Sequence, residues 1–245
     1  GWGIDAILAV ATQVASWPNA VRHVPQPPGW VLPVMVLGLL FALVWQGRAR
    51  VGGGVVAALA VAGWLGSDRP AVLIADNGAL VGVMAEGGRA LSRERGHGFV
   101  ARSWLENDGR DRDRDAAHAR TDALRRDGAL WVPLGAAPLA VVFGAENDAL
   151  ADVCERAGAV VTNRDVAAPA GCAVFGPGDL AGSGALAMTL RDGRVEVLSV
   201  REAGGARLWS PRAQRGPPTV GPRLERALNT PRTGEGAAPA TLAAR

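Results

Sequence analysis

GWVLPVMVLGLLFALVWQ, from Gly29 to Gln46, and VGGGVVAALAVAGWLG, from Val51 to Gly66, stand back to back with only Gly47-Arg48-Ala49-Arg50 between them. Neither stretch holds a charged side chain. Each approaches the roughly 20 apolar residues that a helix needs to cross the hydrocarbon core of a bilayer, though the second is short. Trp30, Trp45 and Trp64 stand near the ends, where indole rings favour the headgroup level. The pattern predicts two transmembrane helices over residues 29–66 that deliver a polar domain to one side. The competing reading is a helical hairpin buried in a soluble core, against which length and the lack of an amphipathic stripe both count. Pro33 suits an opening turn, and Gly52-Gly53-Gly54 either weaken the second helix or let it approach a neighbour closely.

Outward from that hairpin, the composition sets the bounds. The chain has 245 residues, 49% of them hydrophobic, enough for a small apolar part and one polar domain. Its 26 basic residues are all arginine, and there is no lysine or tyrosine. With abundant Ala, Gly and Pro this is a pattern of codon bias, so arginine number alone says nothing of partners. The net charge of +3 is modest. The chain opens Gly1-Trp2-Gly3, without the charged segment and cleavage site of a signal peptide. It reads as the C-terminal part of a longer protein.

Arg48 and Arg50 in the tight turn place that turn in the cytoplasm under the positive-inside rule. The segments on either side of the hairpin would then face the periplasm. In that oxidising compartment Cys154 and Cys172 are candidates for a disulfide, the alternative being two separate buried thiols. Ahead of the hairpin, Ile4, Ile7, Leu8, Ala11, Val14 and Ala15 recur at helical spacing. Residues 1–28 therefore read as an amphipathic interfacial segment anchored by Trp2 and Trp17. One face of a helix packed on other membrane helices is the alternative.

Residues 70–205 alternate short strands and helices, which predicts an α/β domain. Ala71 to Ala75 and Leu80 to Met84 flank Asp76-Asn77-Gly78, a hairpin-turn signal. Leu130 to Leu134, Leu139 to Phe143, Ala159 to Thr162 and Cys172 to Phe175 read as strands. Asp148 to Ala157 reads as a helix, and Ala185 to Leu190 pairs with Val195 to Val200 around Asp192-Gly193. Residues 206–245 lack periodicity and read as a disordered tail.

Two chemical signals need weighing. Arg93, Arg95, Arg102, Arg110, Arg112, Arg114, Arg120, Arg125 and Arg126 cluster before Leu130, but Glu94, Glu106 and six aspartates nearly balance them. A solvated face is expected there, with Phe99 and Trp104 in the core. In the tail Arg207, Arg212 and Arg215, with Arg223 and Arg226, are less diluted by acids and are the DNA-binding candidates. Asp111, Asp113, Asp115 and Asp122 echo the spacing of a calcium loop, yet Ala116 stands where the sharp turn needs glycine.

The blocks GIDAILAVATQVASWPNAVRHVPQPP, LGLLFALVWQGRAR, RPAVLIADNGALVGVMAEGGRALSRERGHGFVARSWLENDG, ALADVCERAGAVVTNRDV and DLAGSGALAMTLRDGRVEVLSVREAGGARLWSPR follow one another. In that order they resemble the C-terminal region of ComEC-type competence proteins. The resemblance implies an inner-membrane protein that moves single-stranded DNA into the cytoplasm. It implies as partners single-stranded DNA, membrane lipid, upstream competence-domain helices and other DNA-uptake proteins. It also implies a metallo-β-lactamase-like α/β domain over residues 70–205. Active members of that type need a His-x-His-x-Asp-His cluster to hold two metal ions that activate a water. This chain has only His23, His97 and His118. Where such a cluster would follow a strand, it offers Val160-Val161-Thr162-Asn163-Arg164-Asp165. A degenerate, metal-free domain without cofactor or catalytic residue is therefore expected. A metal-dependent nuclease and a membrane-anchored interaction domain without a DNA role are the alternatives.

Overall fold

The computed structural model describes residues 1–17, 24–109, 113–144, 147–205 and 219–231. The chain forms two compact units. One holds Gly1–Leu65 with Ser103–Arg112, the other Gly66–Arg102 with Asp113–Arg245.

The first unit is helical: α1 (Trp2–Ala15), α2 (Val31–Val44) and α3 (Arg50–Leu65), with α4 (Gly98–Asn107) running into it from the second unit. No residue of α1 is buried. α2 and α3 pack as an antiparallel pair through small residues. Gly38 and Gly53 face each other so closely that a Cβ on Gly38 would lie 2.8 Å from the Gly53 carbonyl oxygen. Ala57 and Ala60 are buried beside them. The Trp64 indole N–H donates to the Pro25 carbonyl at 3.1 Å, and the Gln26 N–H donates to the Asn107 carbonyl at 2.8 Å.

The expectation of two transmembrane helices is overturned. Among the described residues no helix is long and apolar enough to cross a membrane. α2 has 14 residues and α3 has 16. At 1.5 Å per residue they span about 21 and 24 Å, short of the roughly 30 Å of a hydrocarbon core. The apolar run is longer than the helix because its ends leave helical geometry. Trp45 is extended, with φ −79° and ψ 140°, and Gly47, just beyond the run, has φ 79°.

The second unit is α/β with two five-stranded sheets. One has the order β10-β9-β1-β2-β3 and is antiparallel throughout. Its strands are β1 (Val72–Ile74), β2 (Val81–Ala85), β3 (Gly88–Leu91), β9 (Leu186–Arg191) and β10 (Arg194–Ser199). The other has the order β4-β5-β6-β7-β8, from β4 (Arg125–Arg126), β5 (Ala129–Val132), β6 (Leu139–Val142), β7 (Ala159–Thr162) and β8 (Val174–Phe175). Here β6, β7 and β8 are parallel and β4 and β5 antiparallel. Between the sheets lies one core, with Val72, Ile74, Val81 and Val83 from the first and Leu130, Val132, Leu139, Val141 and Val161 from the second. On the outer face of the second sheet, α6 (Asn147–Arg156) packs Leu150, Val153 and Cys154 against Ala140, Val142 and Val160. The second sheet thus buries both faces of β6 and β7, whereas β10 of the first alternates buried and exposed residues, as period-two side chains allow.

Residues 206–245 were expected to lack structure, but α9 (Val220–Asn229) lies among them. Val220, Leu224 and Leu228 are buried in the inter-sheet core. Pro222 sits in the first turn, where its missing N–H has no intrahelical partner to lose. The α/β unit therefore does not end at residue 205. It is completed by α7 (Pro177–Ser183), α8 (Val200–Gly204) and α9.

Candidate functional site

Ser92 to His97 link β3 to α4, and with Gly98, the first residue of that helix, they form a turn held by several polar side chains. Ser92 is buried and its Oγ accepts from the Val81 N–H at 2.9 Å. Four side chains from residues 114–125 then reach four carbonyls of this strand and loop. Arg120 donates to the Arg89 carbonyl at 3.4 Å, and the His118 Nδ1 lies 3.0 Å from the Leu91 carbonyl. Arg125 donates to the Ser92 carbonyl at 2.8 Å, and Arg114 to the Gly96 carbonyl at 2.7 Å. Arg114 stands in the first turn of α5 (Arg114–Ala119), whose N-cap Asp113 accepts from the Ala116 N–H at 3.0 Å.

The solvated arginine face expected here is thus, in part, a row of clamps on backbone carbonyls. Arg93 makes a further contact, its guanidinium 4.7 Å from the centroid of the Phe143 ring. Arg110 and Arg112 lie outside the described residues.

His97 occupies the position before α4 with φ 48°, a left-handed conformation, next to Gly96 with φ 81°. Such a backbone costs a histidine free energy that its neighbours must offset. They do so by holding its ring. In the β1–β2 turn the Asn77 Oδ1 accepts from the Ala79 N–H at 3.1 Å, which fixes the amide orientation. Asn77 Nδ2 therefore faces the His97 Nε2 at 3.0 Å as a donor. Nε2 accepts, so the ring proton sits on Nδ1.

That Nδ1 is buried without a hydrogen-bond partner, and so is the Nε of Arg114. The first intrahelical bond of α4 runs from the Ala101 N–H to the His97 carbonyl. The N–H groups of Gly98, Phe99 and Val100 precede it and find no acceptor within the helix. The turn's acceptors are thus taken, His97 Nε2 by Asn77, the Gly96 carbonyl by Arg114 and the His97 carbonyl by Ala101, and two enclosed donors are left over.

Phe99 follows directly and is 86% exposed. This corrects the expectation that it belongs to the core; Trp104 is half-buried. The Arg95 side chain is 91% exposed and meets Glu94 at 3.5 Å, a surface pair of little energetic weight.

The other expected sites fare differently. Arg207, Arg212 and Arg215 lie outside the described residues. Arg223, their neighbour in the sequence reading, packs over the Phe175 ring at 5.1 Å and pairs with Asp179 at 3.1 Å. Cys154 and Cys172 are joined in a disulfide with Cα atoms 5.5 Å apart, tying α6 to the segment before β8. Among the described residues no group of His, Cys, Asp and Glu side chains could hold a metal ion. Asp111 and His23 lie outside them.

The sequence reading singled out neither His97 nor its turn. The signal was present as a histidine between two glycines at a helix start, a pattern that marks a left-handed residue. No family model matches the chain, and neither a curated protein nor a solved structure matches it.

Proposed function

We propose that this chain is a component of a DNA-uptake machinery at the bacterial inner membrane, contributing to the transport of single-stranded DNA into the cytoplasm. The observation that carries the placement is the apolar surface of the helical unit. Leu32, Leu37, Leu40 and Leu43 of α2 and Val51, Val55, Leu59 and Leu65 of α3 are exposed, Leu43 at 81%. Helices apolar on every side are buried in something larger. Too short to cross a bilayer themselves, these are covered by other apolar helices of the machinery, with lipid around them. Upstream helices of the same polypeptide are the natural candidates. The α1 helix, exposed on all faces and flanked by Trp2 and Trp17, suits the membrane interface.

The α/β unit belongs on the periplasmic side in this reading, and the Cys154–Cys172 disulfide is in keeping with an oxidising compartment. The DNA role rests on the ordered resemblance to competence proteins. Deleting the coding region in a transformable host tests it: transformation frequency should collapse while growth is unaffected. Unchanged uptake of DNA would end the proposal and leave a membrane-associated interaction domain.

A further inference from the structure

We infer that the turn between α2 and α3 docks on a surface of anionic phospholipid. Arg48 and Arg50 meet the headgroup phosphates, and Leu43, Val44, Trp45 and Val51 enter the acyl boundary beneath them. The inference deepens the membrane placement and rests on it.

Charge comes first. Between Asp5 and Asp68 the sequence holds no acidic residue. Arg48 and Arg50 are exposed, and neither guanidinium has a hydrogen-bond or ion-pair partner among the described residues. Two positive charges thus stand at one end of an apolar helix pair with nothing in the pair to offset them. That end is also open. At the opposite end Trp64 holds the Pro25 carbonyl and Gly63 faces the Trp30 ring. At the turn, a Cβ on Gly47 or Gly52 would meet nothing within 4 Å.

The surface around the two arginines is apolar. Leu43, Val44 and Val51 are exposed, Val44 at 75%. Trp45 is 55% exposed, with its ring stacked on Phe41 at 5.0 Å between centroids, and an indole so placed favours the headgroup level. Arginine stems can lie along apolar surface while their heads stay with the phosphates. Apolar burial and attraction to anionic lipid then act together. A nucleic-acid phosphate would meet the guanidiniums but gain nothing from Leu43, Val44 and Val51. An anionic bilayer surface offers both in one ligand.

The full chain, diluted from detergent onto vesicles, tests this by flotation. Vesicles of equimolar phosphatidylcholine and phosphatidylglycerol should bind it about 25-fold more tightly than phosphatidylcholine alone, about fivefold for each arginine. Added salt should erode that preference. Arg48→Gln with Arg50→Gln should remove it and leave binding to phosphatidylcholine unchanged, whereas Arg48→Lys with Arg50→Lys should keep it. Because both side chains are exposed, neither pair of changes threatens the fold. If the glutamine variant keeps the preference, or the unaltered chain binds both kinds of vesicle equally, the turn is overturned while the membrane placement stands. If the unaltered chain stays in solution apart from both, the placement falls with it. If the glutamines instead weaken binding of an oligothymidylate and spare the phosphatidylglycerol preference, the ligand is nucleic acid and the inference is wrong.

Discussion

Asn229 stands in for a strand beside Val195. Its Oδ1 accepts from the Val195 N–H at 2.8 Å, and its Nδ2 donates to the Val195 carbonyl at 2.9 Å. One side chain thus makes the pair of bonds that a residue of a neighbouring β-strand would make. One turn earlier on α9, Glu225 accepts from the Val197 N–H at 2.7 Å. The outer edge of β10 is sealed by a helix, and an edge so covered cannot recruit another chain.

Asn229→Ala should therefore cost about 1–3 kcal/mol of stability, because it leaves a donor and an acceptor of Val195 unpaired together. Native-state hydrogen exchange localises the effect. The Val195 amide should exchange faster, and the amides of β1, in the middle of the sheet, should not. Uniform acceleration across the sheet would mean that α9 acts only through its apolar face.

The disulfide between Cys154 and Cys172 closes a loop with a sequence separation of 18. On the chain-entropy account, losing such a link costs about 3 kcal/mol. Cys154→Ala with Cys172→Ala should lower the urea midpoint of the α/β unit accordingly. Since Cys154 packs with Leu150 and Val153 under the second sheet, part of the loss reflects packing. Reduction of the unaltered chain by dithiothreitol separates the two contributions, because it leaves both side chains in place.

Much of this architecture was legible beforehand, and the failures share a cause. The Asp76-Asn77-Gly78 turn, the Ala159–Thr162 strand and the hairpin around Asp192-Gly193 are local patterns, and local patterns survive in the structure as β1–β2, β7 and β9–β10. What eluded the reading depended on distant partners. The stripe of Val220, Leu224 and Leu228 is apolar at helical spacing, but prolines and arginines around it mimic a tail. Only the cleft between two sheets makes it core. Phe99 has the spacing of a buried residue and is exposed, since periodicity says which residues share a face but not what that face meets. At the helical unit an apolar run was counted as a helix, although Trp45 leaves helical geometry before the run ends.

Arg125 tests whether the arginines near the turn hold its backbone in place. Its Nη2 holds the Ser92 carbonyl at 2.8 Å and its Nε lies 3.4 Å from the Thr121 hydroxyl. Arg125→Gln should destabilise the unit by about 1–3 kcal/mol, as read by urea unfolding. An unchanged urea midpoint would show that the Ser92 carbonyl does not depend on this guanidinium.

The α2–α3 pair offers a matched comparison within three consecutive glycines. A Cβ placed on Gly53 would collide with the Gly38 carbonyl oxygen and lie 2.6 Å from the Ala42 nitrogen. One placed on Gly54 meets nothing within 4 Å. Gly54→Ala should therefore stabilise α3 by about 1 kcal/mol through helix propensity alone. Gly53→Ala gains the same propensity but forces the two backbones apart, and loses the packing of Ala57 and Ala60 against α2. Thermal unfolding followed by far-ultraviolet circular dichroism in detergent should give opposite signs for the two variants. If Gly53→Ala proves as stabilising as Gly54→Ala, the helices are not held together through their glycine faces.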